Sequence, residues 1–476
     1  MRSGLAADTP SVRGASLGWF IALELLCVAG FVMLLTMGQT DSAVAVLLGP
    51  FQLLLWFALL RDSRTLLLFF TAVLPLAGAG LVPHAYERFA FLPATSVFLI
   101  LVTFTGFLFA DRPDRVRLRV SEWLPLLALG TWSTISGVNA VAHGWGCKFL
   151  LLMMVVTLEV MALAYFFATV PRSLRDVRVL LYTALAAAVF VALWIPFLPT
   201  ASGGVGSLGG KMAATPFGVV NLNTVGYVVG PLAAVALGMA VGSRRMRTKL
   251  WLGVAVFICA MMLVLTKSRG AWLGFGVAFL YVMVRRRSLA LLVTAASAGL
   301  VMVLSDVLHR LLVSRAAATT TYDPSLLGRF VLWNFAWRIG KANWLLGVGM
   351  ENFRYVKHFY HFPEPLSTAI QFNAHNIYLE LFADLGAVGL AVFLWLLVSS
   401  FIRSSNAMRS DDASDLGLGL SAGVVAYAAH GLVDSILFQQ GVFALLGLLI
   451  GLSISLSRFA SVSATPPLFR PQPLSR

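Results

Sequence analysis

Residues 376–402 read NIYLELFADLGAVGLAVFLWLLVSSFI, with Glu380 and Asp384 as the only charges. A helix rises about 1.5 Å per residue, so roughly 20 apolar residues cross the hydrocarbon of a bilayer, and this run is longer than that. A buried carboxylate at such depth is costly and needs a partner or water. The stretch is therefore a membrane-spanning helix with two acidic groups to account for.

The same pattern recurs along the chain. Apolar stretches cover residues 17–44 (ending near Met37, before the next begins), 43–60, 65–83, 89–110, 123–142, 149–170 and 179–198. They continue at 219–241, 250–266, 270–284, 289–304, 376–402, 416–434 and 441–457. Of 476 residues 59% are hydrophobic and 12% charged, with a mean hydropathy of +0.87. Soluble domains carry about a quarter charged residues, so a water-soluble fold is excluded. The expected fold is an all-α polytopic membrane protein of about 12–14 transmembrane helices, with one long outer loop carrying short helices.

The net charge of +15 could suggest nucleic-acid binding. Its distribution excludes that, because the basic residues lie in short clusters between apolar runs. With the N-terminus inside, 23 of the 35 basic residues fall in inner segments, among them Arg112–Arg119, Arg172–Arg178, Arg244–Lys249 and Arg285–Arg287. That is the positive-inside bias. It organises the chain as an inner N-terminus (1–16), a first bundle of about eleven spans (17–304), a large outer loop (305–375), C-terminal spans (376–457) and an inner tail (458–476). No cleavable signal peptide is expected, and the proline-bearing tail reads as disordered. Cys27, Cys147 and Cys259 have neither metal nor redox spacing, and there is no P-loop or Cys/His metal cluster.

Five places concentrate polar chemistry. The outer loop holds Arg329, Trp333, Trp337, Arg338 and Lys341 at helical spacing, which suits either an interfacial helix with a function or an anchoring belt. At its end, His375 and Asn376 top a helix on which Gly386 and Gly389 share the histidine's face, where a neighbouring helix could approach closely. Between two spans, Lys267-Ser268-Arg269-Gly270 forms a turn too tight for two full crossings, since Leu250–Val284 is only 35 residues. Arg269 would then dip below the surface and face an anion or cavity; the bland reading is a snorkelling side chain. Asn221 and Asn223 open another span and could either bind sugar hydroxyls or cap the helix. His430 and Asp434, four residues apart, could pair and dock their helix.

Taken in order, these residues resemble the O-antigen ligase and polymerase superfamily. His375-Asn376, nine residues, Gly386, two residues and Gly389 fit its histidine–glycine signature. Asn221–Asn223, Lys267–Trp272, and Gly328-Arg329 through Trp333 to Gly347-Val348-Gly349 resemble its other segments, so that the likeness covers about residues 215–440. The resemblance implies a bacterial inner-membrane glycosyltransferase with both termini cytoplasmic and its site facing the periplasm. The donor would be a glycan on undecaprenyl diphosphate and the acceptor lipid A–core or a growing glycan. His375 would be the catalytic base, Arg269 and Arg329 would hold the diphosphate, and Asn223, Asn376, Arg338 and Lys267 would contact substrate. It implies no metal or other cofactor, no nucleic acid, and contact with membrane lipids and other envelope polysaccharide assembly proteins. Fourteen spans exceed the twelve usual in the family. Lipopolysaccharide O-antigen ligation is the first reading and repeat-unit polymerisation the second. A proton-coupled transporter is the rival from another class, with Glu380, Asp384 and the His430–Asp434 pair as its relay, and a non-catalytic scaffold is a third.

Overall fold

A computed structural model describes residues 63–78, 118–145, 150–198, 212–215, 218–266, 268–287, 324–356, 360, 373–435 and 440–463. The expected spans at 17–44, 43–60, 89–110 and 289–304, together with Lys267 and residues 464–476, lie outside the described residues. The chain separates into two compact units, residues 1–66 and 67–476, and the site described below belongs wholly to the second.

The described helices are α1 (Ser63–Gly78), α2 (Val120–Ala142), α3 (Leu150–Thr169), α4 (Leu174–Trp194), α5 (Leu222–Gly242), α6 (Met246–Leu265) and α7 (Arg269–Arg286). They continue with α8 (Pro324–Ala342), the single turn α9 (Phe353–Val356), α10 (Ile377–Ala407), α11 (Ser414–His430) and α12 (Gln440–Ser463). One short antiparallel pair, β1 (Met212–Thr215) and β2 (Gly218–Asn221), leads into α5. The protein is thus an all-α polytopic membrane protein. Among the described residues, six helices are long and apolar enough to cross a bilayer.

α5 is buried along almost its whole length, from Thr224 to Ala240, and forms the centre of the bundle. Its neighbours come close because glycines face backbone. A Cβ on Gly238 would lie 2.6 Å from the Leu418 carbonyl of α11, and one on Gly274 of α7 would lie 2.7 Å from the Ala426 carbonyl. Small residues of this kind let helix backbones approach where lipid gives no hydrophobic drive between helices. On the outside, Trp251, Phe257, Val138, Trp395 and Val398 are exposed, a surface suited to acyl chains rather than water.

α10 is broken. Gly386 sits inside it at φ +69, ψ −172, left-handed and non-helical, and any Cβ there would collide with the Leu345 carbonyl. The break frees backbone groups that membrane depth requires to be satisfied. The carbonyls of Ala383 and Asp384 accept from the Val348 and Gly349 N–H groups at 3.0 and 2.9 Å. Ser136 Oγ also donates to the Asp384 carbonyl, Trp132 Nε1 donates to the Leu385 carbonyl at 2.8 Å, and the Ala387 N–H donates to Trp344 O at 2.7 Å. Gly386 was expected to seat a neighbouring helix. It seats instead the 344–349 segment of the outer loop. A side chain on Gly389 would meet Leu385, which belongs to the preceding turn of the same helix.

The two acidic groups of α10 are explained by the same construction. Asp384 is fully buried, and its carboxylate accepts from the Glu351 N–H (Oδ2, 2.8 Å) and the Phe353 N–H (Oδ1, 2.8 Å). Glu380 accepts from the Ala374 N–H at 2.8 Å. The two carboxylates fasten the outer loop onto α10 at residues 351–353 and at Ala374, where backbone N–H groups supply the hydrogen bonds a buried carboxyl needs. Around them α8 buries Leu332, Phe335, Ala336 and Ile339 against Val348, Phe353, Val356, Ala374 and Ala383. The described part of the loop is therefore a packed cap on the start of α10.

Candidate active site

His375 occupies the last position before the α10 cap, with φ +50, a left-handed conformation that a residue without a glycine's freedom adopts only where its surroundings demand it. Those surroundings are hydrogen-bonded on both sides. Asn376 caps α10, its Oδ1 accepting from the Tyr378 and Leu379 N–H groups at 3.0 Å each, while its Nδ2 donates to Leu432 O at 2.9 Å. The Ile377 N–H donates to Gly431 O at 2.8 Å, and Asn373 Nδ2 donates to Ser435 O. The turn 431–435 after α11 thus grips residues 373–377 along their length.

That grip delivers a carboxylate to the histidine. Asp434 Oδ1 lies 3.0 Å from His375 Nδ1 and also accepts from the Ser435 N–H at 2.9 Å. The span expected at 416–434 ends at His430, so Asp434 sits in the turn rather than on the helix. Burial (2% exposed) would raise its carboxyl. The hydrogen bond from His375 and the charges of His375, His430 and Arg329 outweigh burial and hold it below the ordinary carboxylate range. An ionised carboxylate only accepts, so His375 Nδ1 carries a proton, and in the neutral ring Nε2 is then the nitrogen with the lone pair. The ring is held at Nδ1, and 36% of the His375 side chain remains exposed.

The expected pair of His430 with Asp434 does not form. Because α11 stops at His430 with a turn at Gly431, the carboxylate swings away to His375. His430 instead stacks on the Tyr227 ring at 3.9 Å between centroids, and neither of its ring nitrogens has a hydrogen-bond partner among the described residues. Gly270 rests against this ring, where a Cβ would lie 2.6 Å from His430 Nε2. Gly270 follows Arg269, so α7 begins directly beside the turn that holds Asp434.

The remaining arginines arrive from two directions. The α6–α7 turn is stiffened by Ser268, whose Oγ accepts from the Ala271 N–H at 3.3 Å, and by Thr266 Oγ1, which donates to Leu263 O at 2.7 Å. Arg269, the first residue of α7, is exposed. Arg329 on α8 is half-buried, and its charge reaches both Asp434 and His430. Arg338 is exposed above the Phe335 ring at 5.4 Å, and nine residues along a helix place it opposite Arg329. Asn223 is half-buried in the first turn of α5, and its backbone N–H donates at 2.9 Å to Asn221, which is the cap. His375, Asn376, Arg329 and the start of α7 are thus gathered at one end of the bundle, and Arg338 faces elsewhere.

Three participants escaped the sequence reading: Asp434 as partner of His375, and Asn373 and Ser435 beside them. Asn373 Oδ1 and Ser435 Oγ are buried with no hydrogen-bond partner among the described residues, a pair of polar atoms close to the His375 imidazole. Nothing within the local sequence signals these contacts, because they join segments 59 and 62 residues apart.

Residues 254–394 match the family model described as O-antigen ligase. The matched segment runs from α6 through the break in α10, and includes Arg269, Arg329, His375, Gly386 and Gly389. Asp434 and Asn223 fall outside it. No curated protein matches the chain.

Proposed function

From a chain whose residues 254–394 belong to the O-antigen ligase superfamily, we propose a transferase that moves a glycan from undecaprenyl diphosphate to a sugar hydroxyl at the periplasmic face of the inner membrane, acting as an O-antigen ligase on lipid A–core. The observation that carries this reading is the His375–Asp434 hydrogen bond, since a neutral ring that donates from Nδ1 has Nε2 as its proton acceptor. In the reaction, Nε2 takes the proton of the acceptor hydroxyl as its oxygen bonds to the anomeric carbon. The bond from that carbon to the diphosphate breaks, and undecaprenyl diphosphate leaves with the electron pair. Arg269 and Arg329 offset the charge developing on it, as pre-placed cations do. Asn373 Oδ1 and Ser435 Oγ are suited to accept from or donate to hydroxyls of the acceptor sugar.

The transporter reading is disfavoured by one observation: both carboxylates of α10 are committed to backbone N–H groups of the outer loop. A relay needs groups that exchange protons, whereas these hold structure. Polymerisation of lipid-linked repeat units uses the same groups and is the second reading. The surface polysaccharides of a deletion strain separate the two. Loss of all long-chain material on lipid A–core, with lipid-linked polymer accumulating, is the result expected of a ligase. Single repeat units on core, or missing secreted polymer, would overturn ligation in favour of polymerisation.

Arg269 supplies a sharper test of the diphosphate site. Lysine keeps the charge but loses the planar fork that binds two oxygens at once. Arg269→Lys is therefore expected to lose most of its transfer activity while accumulating in the membrane normally. Near-normal transfer by this variant would reduce Arg269 to a snorkelling side chain at a hairpin tip.

A further inference from the structure

Below the α6–α7 turn the two helices part and leave a groove. Both pack on α5, yet they scarcely touch each other beyond the turn, where Trp272 Nε1 donates to Leu263 O at 2.6 Å. Past that clasp, Val256 of α6 and Phe275 and Phe279 of α7 are half-buried, resting on the core that α5, α7 and α11 build. Two glycines border the gap. A Cβ on Gly276 of α7, or on Gly253 of α6 one turn from Val256, would meet nothing within 4 Å among the described residues. Gly238 and Gly274 are pressed against backbone, whereas these two face unfilled space.

The groove has a charged head and an apolar length. Arg269 is exposed where α7 begins, and no charge follows from Gly270 to Val284, nor along α6 from Leu250 to Leu265. At 1.5 Å per residue, Gly276 lies about 10 Å below Arg269, and Gly253 lies about 18 Å below the outer end of α6. Half the hydrocarbon thickness is about 15 Å, so the gap passes the bilayer midplane. A phospholipid's acyl chains end in their own leaflet, while a polyprenyl chain is long enough to continue. We propose that this groove holds the polyprenyl tail of the donor, running from Arg269 past the midplane. The proposal rests on the glycan-transfer reading, which puts the diphosphate at Arg269, and adds where the carrier's tail lies.

The test is binding to the full-length protein in detergent, read by native mass spectrometry, with undecaprenyl diphosphate, farnesyl diphosphate and phosphatidylglycerol as probes. Gly276→Phe and Gly253→Phe place a ring in the gap without striking the protein, and phenylalanine suits a helix better than glycine. Both variants should therefore melt no lower than the parent. Gly253→Phe removes the deep contacts, and is expected to weaken undecaprenyl diphosphate roughly fivefold or more while farnesyl diphosphate, whose tail ends above that depth, stays within about twofold. Gly276→Phe, nearer the head, should weaken both. Unchanged undecaprenyl diphosphate affinity in the two variants would overturn the groove and leave the transferase reading standing. An equal loss of phosphatidylglycerol would make the gap a general lipid surface and end its assignment to the carrier. Parent protein that binds undecaprenyl diphosphate no better than phosphatidylglycerol would sink the transfer reading itself, and the tail site with it.

Discussion

His375→Ala is expected to lower glycan transfer by about two to four orders of magnitude, the range typical of a positioned general base. Binding of the lipid-linked donor should survive, because the arginines and the lipid tail supply that affinity. Asp434→Asn is the more telling companion. An amide can present either its oxygen or its NH2 to the ring, so Nδ1 is no longer held protonated and Nε2 no longer reliably keeps its lone pair. Asp434→Asn should therefore lower the rate by a comparable factor, with donor affinity nearly unchanged and the protein still folded. In vitro transfer measured beside a donor-binding assay separates the outcomes. Wild-type rate for His375→Ala would remove the histidine from the chemistry. Joint loss of binding and transfer would make it a binding or structural residue. Full activity in Asp434→Asn would mean that the dyad does not set the tautomer.

The second large effect concerns the break in α10. Gly386→Leu places a side chain at φ +69, against the Leu345 carbonyl, with the Trp344 carbonyl also at hand. The left-handed backbone and the overpacking each cost about 1–3 kcal/mol. If α10 straightened to escape the strain, the N–H groups of Val348 and Gly349 would lose the carbonyls that now receive them. The expected result is a melting temperature lower by several degrees, poor accumulation in the membrane, and weak transfer by what remains. Gly389→Ala would bring its Cβ to 2.2 Å from the Leu385 Cβ, which no rotamer moves, so it too should destabilise, but without the left-handed backbone strain of Gly386. A Gly386→Leu protein as stable as the parent would show that the cap does not depend on the break.

The roles proposed for His375 and for Gly386 were legible in the sequence to different degrees. The spacing from His375 to Gly389 singled out both residues, but a straight helix was assumed in arguing what the glycines do. A helical wheel assigns faces only while the 3.6-residue period holds. The carbonyl-to-loop bonds that replace the period at Gly386 involve residues some 40 positions earlier, which no periodicity contains. Glu380 and Asp384 were recognisable as needing partners, since a carboxylate at that depth must have them. That the partners are the N–H groups of Ala374, Glu351 and Phe353 could not be inferred from the need alone.

What the sequence determined by itself was the class of solvent, and it set an expectation for the direction of the helices. Hydropathy and the charge bias act additively over twenty-residue windows, so each window carries its own information and no distant contact is required. It also located where polar groups interrupt those windows, and so pointed to His375, Arg269 and Arg329. The tertiary structure decided what each of them meets. Asp434 was paired by sequence with His430, four residues away, and in the folded chain it serves His375, 59 residues away. The reason is local and physical: α11 ends at His430, and the turn at Gly431 reverses the chain. Helix ends depend on which backbone groups find partners outside the helix, here Gly431 O with the Ile377 N–H, and those partners exist only once the chain has folded.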